Sequence, residues 1–194
     1  MTTNIKHAER IQGYFTQAAK QILKGEGIRG ISARNVARQA GYSYATLYNH
    51  FRDINDLVFV CVQDFAEECR HFVIDETDGI VPGKPKIESI VKSYLKYFIQ
   101  YPGIFELFFL EQLGNSGHQQ KNIERIHSLL DELCAESWEA CRDDFADAES
   151  IERRKEQLRF SIVGQLLLYL NRHQPLGYRE FQDQADRLIR AILH

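Results

Sequence analysis

The sequence predicts an all-α fold of about nine helices. Three observations carry that reading. Apolar residues recur at three- and four-residue spacing along almost the whole chain. Gly and Pro punctuate these stretches at Gly25/Gly27/Gly30, Gly41, Gly79 to Pro85, Pro102/Gly103, Gly114/Gly117 and Pro175/Gly177. No run alternates apolar and polar residues for long enough to form a strand.

The elements follow in order. Ile11, Phe15, Ala18/Ala19 and Ile22 make one stripe of a first helix. Ser32 can cap a short second helix carrying Val36, Ala37 and Ala40, closed by Gly41. Ser43 can cap a third, with Leu47 and Phe51 four residues apart. Asp53 or Asn55 opens a long fourth helix through Leu57, Cys61, Phe65 and Phe72. A fifth spans about Lys86 to Tyr101, and Pro102 starts a short sixth in its first turn. A seventh covers about Gln119 to Phe145, an eighth Ser150 to His173 and a ninth Tyr178 to Leu193.

Composition excludes several classes. A chain of 194 residues can bury about two-thirds of its unfolded surface, so its core needs no disulfide or metal staple. With 12 Phe and 9 Tyr there is too much apolar surface for a disordered chain. The longest apolar-leaning stretch, Phe160 to Leu170, contains Ser161, Gly164 and Gln165. It falls far short of the roughly 18 residues a membrane span needs. Residues 1–10 are polar and contain no secretion signal. Cys61, Cys69, Cys134 and Cys141 form no CxxC pair and fall seven or eight residues apart within helices. They read as reduced thiols packed in a cytoplasmic protein.

The net charge of −3 hides an asymmetry. Residues 1–52 hold eight bases (Lys6, Arg10, Lys20, Lys24, Arg29, Arg34, Arg38, Arg52) and two acids (Glu9, Glu26), a balance of +6. The remainder carries 16 bases and 25 acids, a balance of −9. Such a split predicts a nucleic-acid-facing domain at 1–52 and an acidic helical domain at 53–194.

The sharpest local pattern lies inside the basic region, ISARNVARQAGYSYATLYNHF at residues 31–51. Two short helices meet at Ala40-Gly41-Tyr42-Ser43, where glycine can take the left-handed conformation a sharp corner requires. At 100° per residue, Leu47 and Phe51 share one side of the third helix. Ala45, Thr46 and Asn49 lie roughly opposite, with Tyr44 and Tyr48 on one edge and His50 on the other. This is a helix-turn-helix whose second helix offers polar, aromatic and small side chains to a major groove.

The segment A-G-x-S-x-x-T-L-Y-x-H-F resembles the TetR family of transcriptional regulators, with residue-level similarity over about Ala8 to Leu57. The resemblance implies an N-terminal three-helix DNA-binding domain and a C-terminal helical domain for ligand and dimerisation. By resemblance Arg34 contacts a base or phosphate. Ser43 opens the recognition helix, and Tyr44, Ala45 and Thr46 occupy its base-reading start. Tyr48 and His50 resemble a phosphate-contacting pair, and Asn49 reads a base edge or a phosphate. The sequence departs from the family at Ile54, where a phosphate-contacting lysine is usual. An adjacent backbone amide at that helix start can still meet a phosphate.

The eighth helix is apolar nearly all round between Phe160 and Leu170, which predicts burial on every side. A partner subunit is the simplest cover. Gly164 permits close approach, with Leu167 and Leu170 toward a partner, and the ninth helix pairs with it through Phe181, Leu188 and Ile192. The resemblance implies the same four-helix dimer interface. Aromatic residues on several helices predict an interior cavity for a small, mainly apolar effector of unknown identity. Its candidate wall is Phe65, His71, Tyr94, Phe98, Phe105, Phe109, His127, Trp138 and Tyr169. Helical spacing puts His127 on one face with Ile123, Leu130 and Cys134, and Asp64 and Glu68 near the inward stripe of the fourth helix. A cationic effector would suit those two carboxylates.

The expected protein is a homodimer that binds a palindromic operator in double-stranded DNA as a repressor and is released by a small molecule. The expectation includes no enzyme activity, no cofactor, no metal and no membrane. One alternative is a helical small-molecule or protein-binding module without DNA function, which Ile54 supports. The other is a metal-dependent helical enzyme. It rests on two Glu-x-x-His pairs, Glu68/His71 and Glu124/His127, with Glu88, Glu106 and Glu111 as further carboxylates.

Overall fold

The computed structural model describes residues 2–111, 118–173, 175 and 177–194, with side chains from residue 6 onward except for 118–123. Among these residues nine α-helices follow in order: α1 Thr2–Glu26, α2 Ala33–Ala40, α3 Tyr44–Tyr48, α4 Ile54–Glu76, α5 Lys84–Gln100, α6 Pro102–Phe109, α7 His118–Ala140, α8 Ala148–Leu170 and α9 Tyr178–Leu193. Short 3-10 turns lie at Ile28–Gly30 and Arg142–Asp144. No strand occurs among the described residues, and the fold is all-α as the sequence predicts. The break at Gly114/Gly117 and the side chain of Ile123 lie outside the described residues.

The chain forms two compact units. The first comprises residues 1–67 and 101–126, the second 68–100 and 127–194. In the first, α1 is the central element. Phe15, Ala18, Ala19, Ile22 and Leu23 are buried along one face. Val36 and Ala37 of α2 and Leu47 of α3 close over that face. Helix α6 also lies on α1, burying Ile104, Phe105, Leu107 and Phe108. Pro102 begins α6, where its missing N–H would be unpaired in any case. The approach is close because residue 103 is glycine. A Cβ there would stand 2.4 Å from the Leu23 carbonyl oxygen and 3.3 Å from the Cα of Gly27.

Two bases of the N-terminal region serve this unit's interior. Lys20 pairs with Asp64 at 3.2 Å, and Lys24 sits 4.8 Å over the Tyr101 ring and 5.5 Å over that of Phe65. Such contacts between amines and aromatic faces are worth about 0.5–1 kcal/mol each at part-exposed sites. The remaining six, Lys6, Arg10, Arg29, Arg34, Arg38 and Arg52, are exposed.

In the second unit the helix buried nearly all round is α5, not α8. Ile87, Ile90, Val91, Tyr94, Leu95, Tyr97 and Phe98 are all covered, and α8 and α9 pack against it. Helix α8 buries Ile151, Leu158, Ile162 and Leu166 on one side only. Its other side leaves Phe160 63% and Leu168 49% exposed, and a Cβ added at Gly164 would meet open space. An unbroken apolar sequence thus divides into an inward and an outward face.

All four cysteines are buried free thiols. Burial pushes the Cys69 and Cys134 thiols far above the ordinary range. Since the thiolate is the reactive form, both are expected to resist a thiol-specific reagent until the protein is unfolded by denaturant. Rapid labelling of Cys69 and Cys134 in the folded protein would contradict their placement.

Candidate nucleic-acid interface

The helix-turn-helix is built by local rules. The Ser32 side chain accepts a hydrogen bond from the Asn35 N–H at 3.1 Å and caps α2. The helix ends at Gly41, whose φ of 76° lies in the left-handed region. There the Tyr42 N–H reaches back to the Ala37 carbonyl at 2.9 Å. A side chain at residue 41 is strained in that conformation, so Gly41→Ala is expected to cost about 1 kcal/mol in urea unfolding. Two residues later Ser43 caps α3: its Oγ accepts from the Thr46 N–H at 3.1 Å and lies 2.9 Å from the Thr46 hydroxyl.

Helix α3 is little more than one turn and is held by what it buries. Leu47 is fully covered, and Phe51 meets Phe15 edge-on with ring centroids 6.5 Å apart. Tyr42 packs on Phe15 at 5.5 Å and on Tyr14 at 6.1 Å. With its apolar side fixed, α3 presents the rest outward. Tyr44, Ala45, Tyr48 and Asn49 are exposed, Tyr44 at 57% and Tyr48 at 49%. Thr46 is half-buried, and so is His50, whose ring stands 6.2 Å from Phe15. Arg34 is exposed on α2. The structure places all eight residues that the sequence assigned to DNA on α2, on α3 and at the residues flanking α3. Ser43 and His50 also have packing or capping roles.

Residues 15–61 match the family model "Bacterial regulatory proteins, tetR family". This helix-turn-helix segment is of the TetR kind. Solved structures agree at the level of fold. A protein from Rhodococcus sp. assigned to the TetR family superposes with a TM-score of 0.75 at 12% identity, over 95% of this chain and 100% of that one. A TetR-family transcriptional regulator from Streptomyces coelicolor gives 0.69 at 14% identity, over 95% of this chain and 89% of that one. The transcriptional regulator FadR from Bacillus subtilis, in complex with stearoyl-CoA, gives 0.69 at 12% identity, over 93% and 96%. None of the described helices is long and apolar enough to cross a membrane.

The candidate wall residues lie in both units. In the first unit Phe65 is fully buried beneath Lys20 and Lys24, and Phe105 meets Phe109 at 5.1 Å. In the second, Tyr94 and Phe98 meet edge-on at 4.9 Å. Trp138 packs on Phe145 at 5.8 Å, and Tyr169 on Phe181 at 4.5 Å. His71 and His127 are exposed. On α7 the covered positions are Ile126, Leu129, Leu130, Cys134 and Trp138, so His127 shares the helical face of Cys134 but not its burial. Asp64 pairs with Lys20 at 3.2 Å.

Phe181 and Ile192 of α9 are buried inside their own unit, which accounts for their apolar area without a partner. Leu167, Leu170, Leu188 and Gly164 are half-buried. A groove of about 320 Å³ runs between α5 and α9, over Leu95, Ile99, Phe181 and Ala185. Of the candidate wall residues it contains none. Among the described residues no group of three or more His, Cys, Asp or Glu is placed to hold a metal.

One pair was hidden from sequence reasoning. Arg159 of α8 donates to the Asp131 carboxylate of α7 at 2.7 Å, and its Nε is buried without a partner. Burial raises the pKa of the Asp131 carboxyl above the ordinary aspartate value, and the Arg159 charge opposes that rise. The partners are 28 residues apart on different helices, and no local spacing signals them.

Proposed function

We propose that this chain is a homodimeric repressor that holds a palindromic operator and is released by a small molecule. The outward face of α3 carries the reading: an uncharged base-reading start at Tyr44, Ala45 and Thr46, on a helix locked by Leu47 and flanked by exposed arginines. Residues 1–52 act as the reader and 53–194 as the body, in the cytoplasm with the DNA. The exposed apolar side of α8, with Phe160, Gly164, Leu167 and Leu168, supports pairing of two subunits there. A two-fold pair would set its recognition helices about one DNA turn apart, roughly 34 Å.

Release requires an effector that favours the non-binding dimer. The aromatic interior supports an apolar one. FadR of Bacillus subtilis was solved with stearoyl-CoA, and a long apolar chain is one ligand of that kind. No enzymatic step is proposed. The test is selection of bound sequences from a random DNA pool, repeated with a panel of small molecules. The reading expects an enriched inverted repeat and loss of enrichment with at least one compound. A pool that shows no enrichment would overturn it.

A further inference from the structure

Helix α4 starts at Ile54, which is half-buried and uncharged. The start of α4 also carries two carboxylates. The Asp53 carboxylate accepts the Asp56 N–H at 2.9 Å, and the Asp56 carboxylate reaches back to accept the Arg52 N–H at 3.2 Å. Two acids thus fill the positive end of the helix in a reciprocal cap. The hydrogen bond from the Asp56 N–H holds the Asp53 carboxyl below the ordinary aspartate value, with the Arg52 charge a smaller cause, so it is ionised at neutral pH. The Asp56 amide at this helix start is therefore already taken by the Asp53 carboxylate.

Arg52 is the only Lys or Arg between Arg38 and Arg70. Its side chain is 65% exposed, and its recorded contact is through Nε, 3.5 Å from the Asp53 carboxylate. Among the described residues that Nε contact is the one seen for this side chain, and the two terminal nitrogens form the fork that matches a phosphate. Arg34 and Arg38 lie on α2, before the turn, and Arg52 lies after α3. Cations thus precede and follow the uncharged recognition helix along the chain.

We propose that Arg52 supplies the phosphate contact that follows the recognition helix, and that the Asp53/Asp56 cap both denies phosphate the Asp56 amide and weakens Arg52's hold on DNA. This rests on the DNA-binding reading above. The experiment measures log K against log salt for the selected DNA site with wild type, Arg52→Gln, Arg52→Lys and Asp53→Asn. Arg52→Gln is expected to flatten the slope by about 0.9 per subunit, about 1.8 for a dimer, on selected and scrambled DNA alike. Arg52→Lys should keep the wild-type slope, which separates charge from folding. Asparagine preserves the cap while removing a charge, so Asp53→Asn should bind several-fold more tightly. A wild type with no salt dependence would overturn the DNA-binding reading itself. A steep wild-type slope that Arg52→Gln leaves unchanged would overturn this inference alone. Asp53→Asn binding no tighter than wild type would remove the role given to the cap.

Discussion

A methyl group added at Gly103 is expected to destabilise the protein by about 1–3 kcal/mol or more. The new Cβ would lie 2.4 Å from the Leu23 carbonyl oxygen and 3.3 Å from the Cα of Gly27. Both are backbone atoms, so no side-chain rotation relieves the overlap. Helix α6 would have to lift from α1, uncovering Phe105 and Leu107, which are otherwise fully buried. Gly13→Ala is the control. Gly13 lies inside α1 with open space where a Cβ would go, and alanine there should stabilise by about 0.5–1 kcal/mol. Urea unfolding of the three proteins measures both effects. A Gly103→Ala midpoint equal to that of wild type would show that α6 is not seated on α1 in this way.

Leu168→Glu should separate the proposed dimer without unfolding its subunits. Leu168 is half-exposed on the outward side of α8, so a glutamate there is solvated in an isolated chain. In an apolar interface shared with Phe160 and Leu167 the same carboxylate would be buried without a partner, at a cost of several kcal/mol. Sedimentation should find a wild-type dimer and a monomeric variant at micromolar concentration, with equal helical content by circular dichroism. A monomeric wild type would remove the α8 interface from the proposal.

The sequence was most informative where structure is set by near neighbours. Ser32, Gly41 and Ser43 act as caps and corner because each needs only residues three or four positions away. Leu47 and Phe51 turn inward by spacing alone. Ends without such punctuation were placed less well. The seventh helix stops at Ala140 although apolar spacing continues through Cys141 to Phe145. Phe145 still packs on Trp138, so the period survives the break and conceals it. The eighth begins at Ala148 because Asp147 accepts the Ser150 N–H at 2.7 Å, a cap three residues ahead of the serine chosen as its start.

Long-range pairing was not legible. Lys20 and Lys24 counted toward the basic region, yet Asp64, Phe65 and Tyr101, some 40 to 80 residues away, draw them into the packing of the first unit. Composition likewise could not say which apolar helix is central. Helix α8 has the more continuous apolar run, but α5 has neighbours on more sides.

The central claim is that α3 reads bases through Tyr44 and Thr46, and one measurement tests it most directly. The affinity of wild type, Tyr44→Ala and Thr46→Ala is titrated on the selected DNA site and on a scrambled duplex at fixed salt. Tyr44 is exposed, and Ser43 caps α3 through the Thr46 backbone N–H, which alanine keeps, so neither change should disturb the helical corner. The account predicts that each variant loses about 1–3 kcal/mol of the difference between the two duplexes while keeping its affinity for the scrambled one. Discrimination equal to wild type in both variants would contradict it.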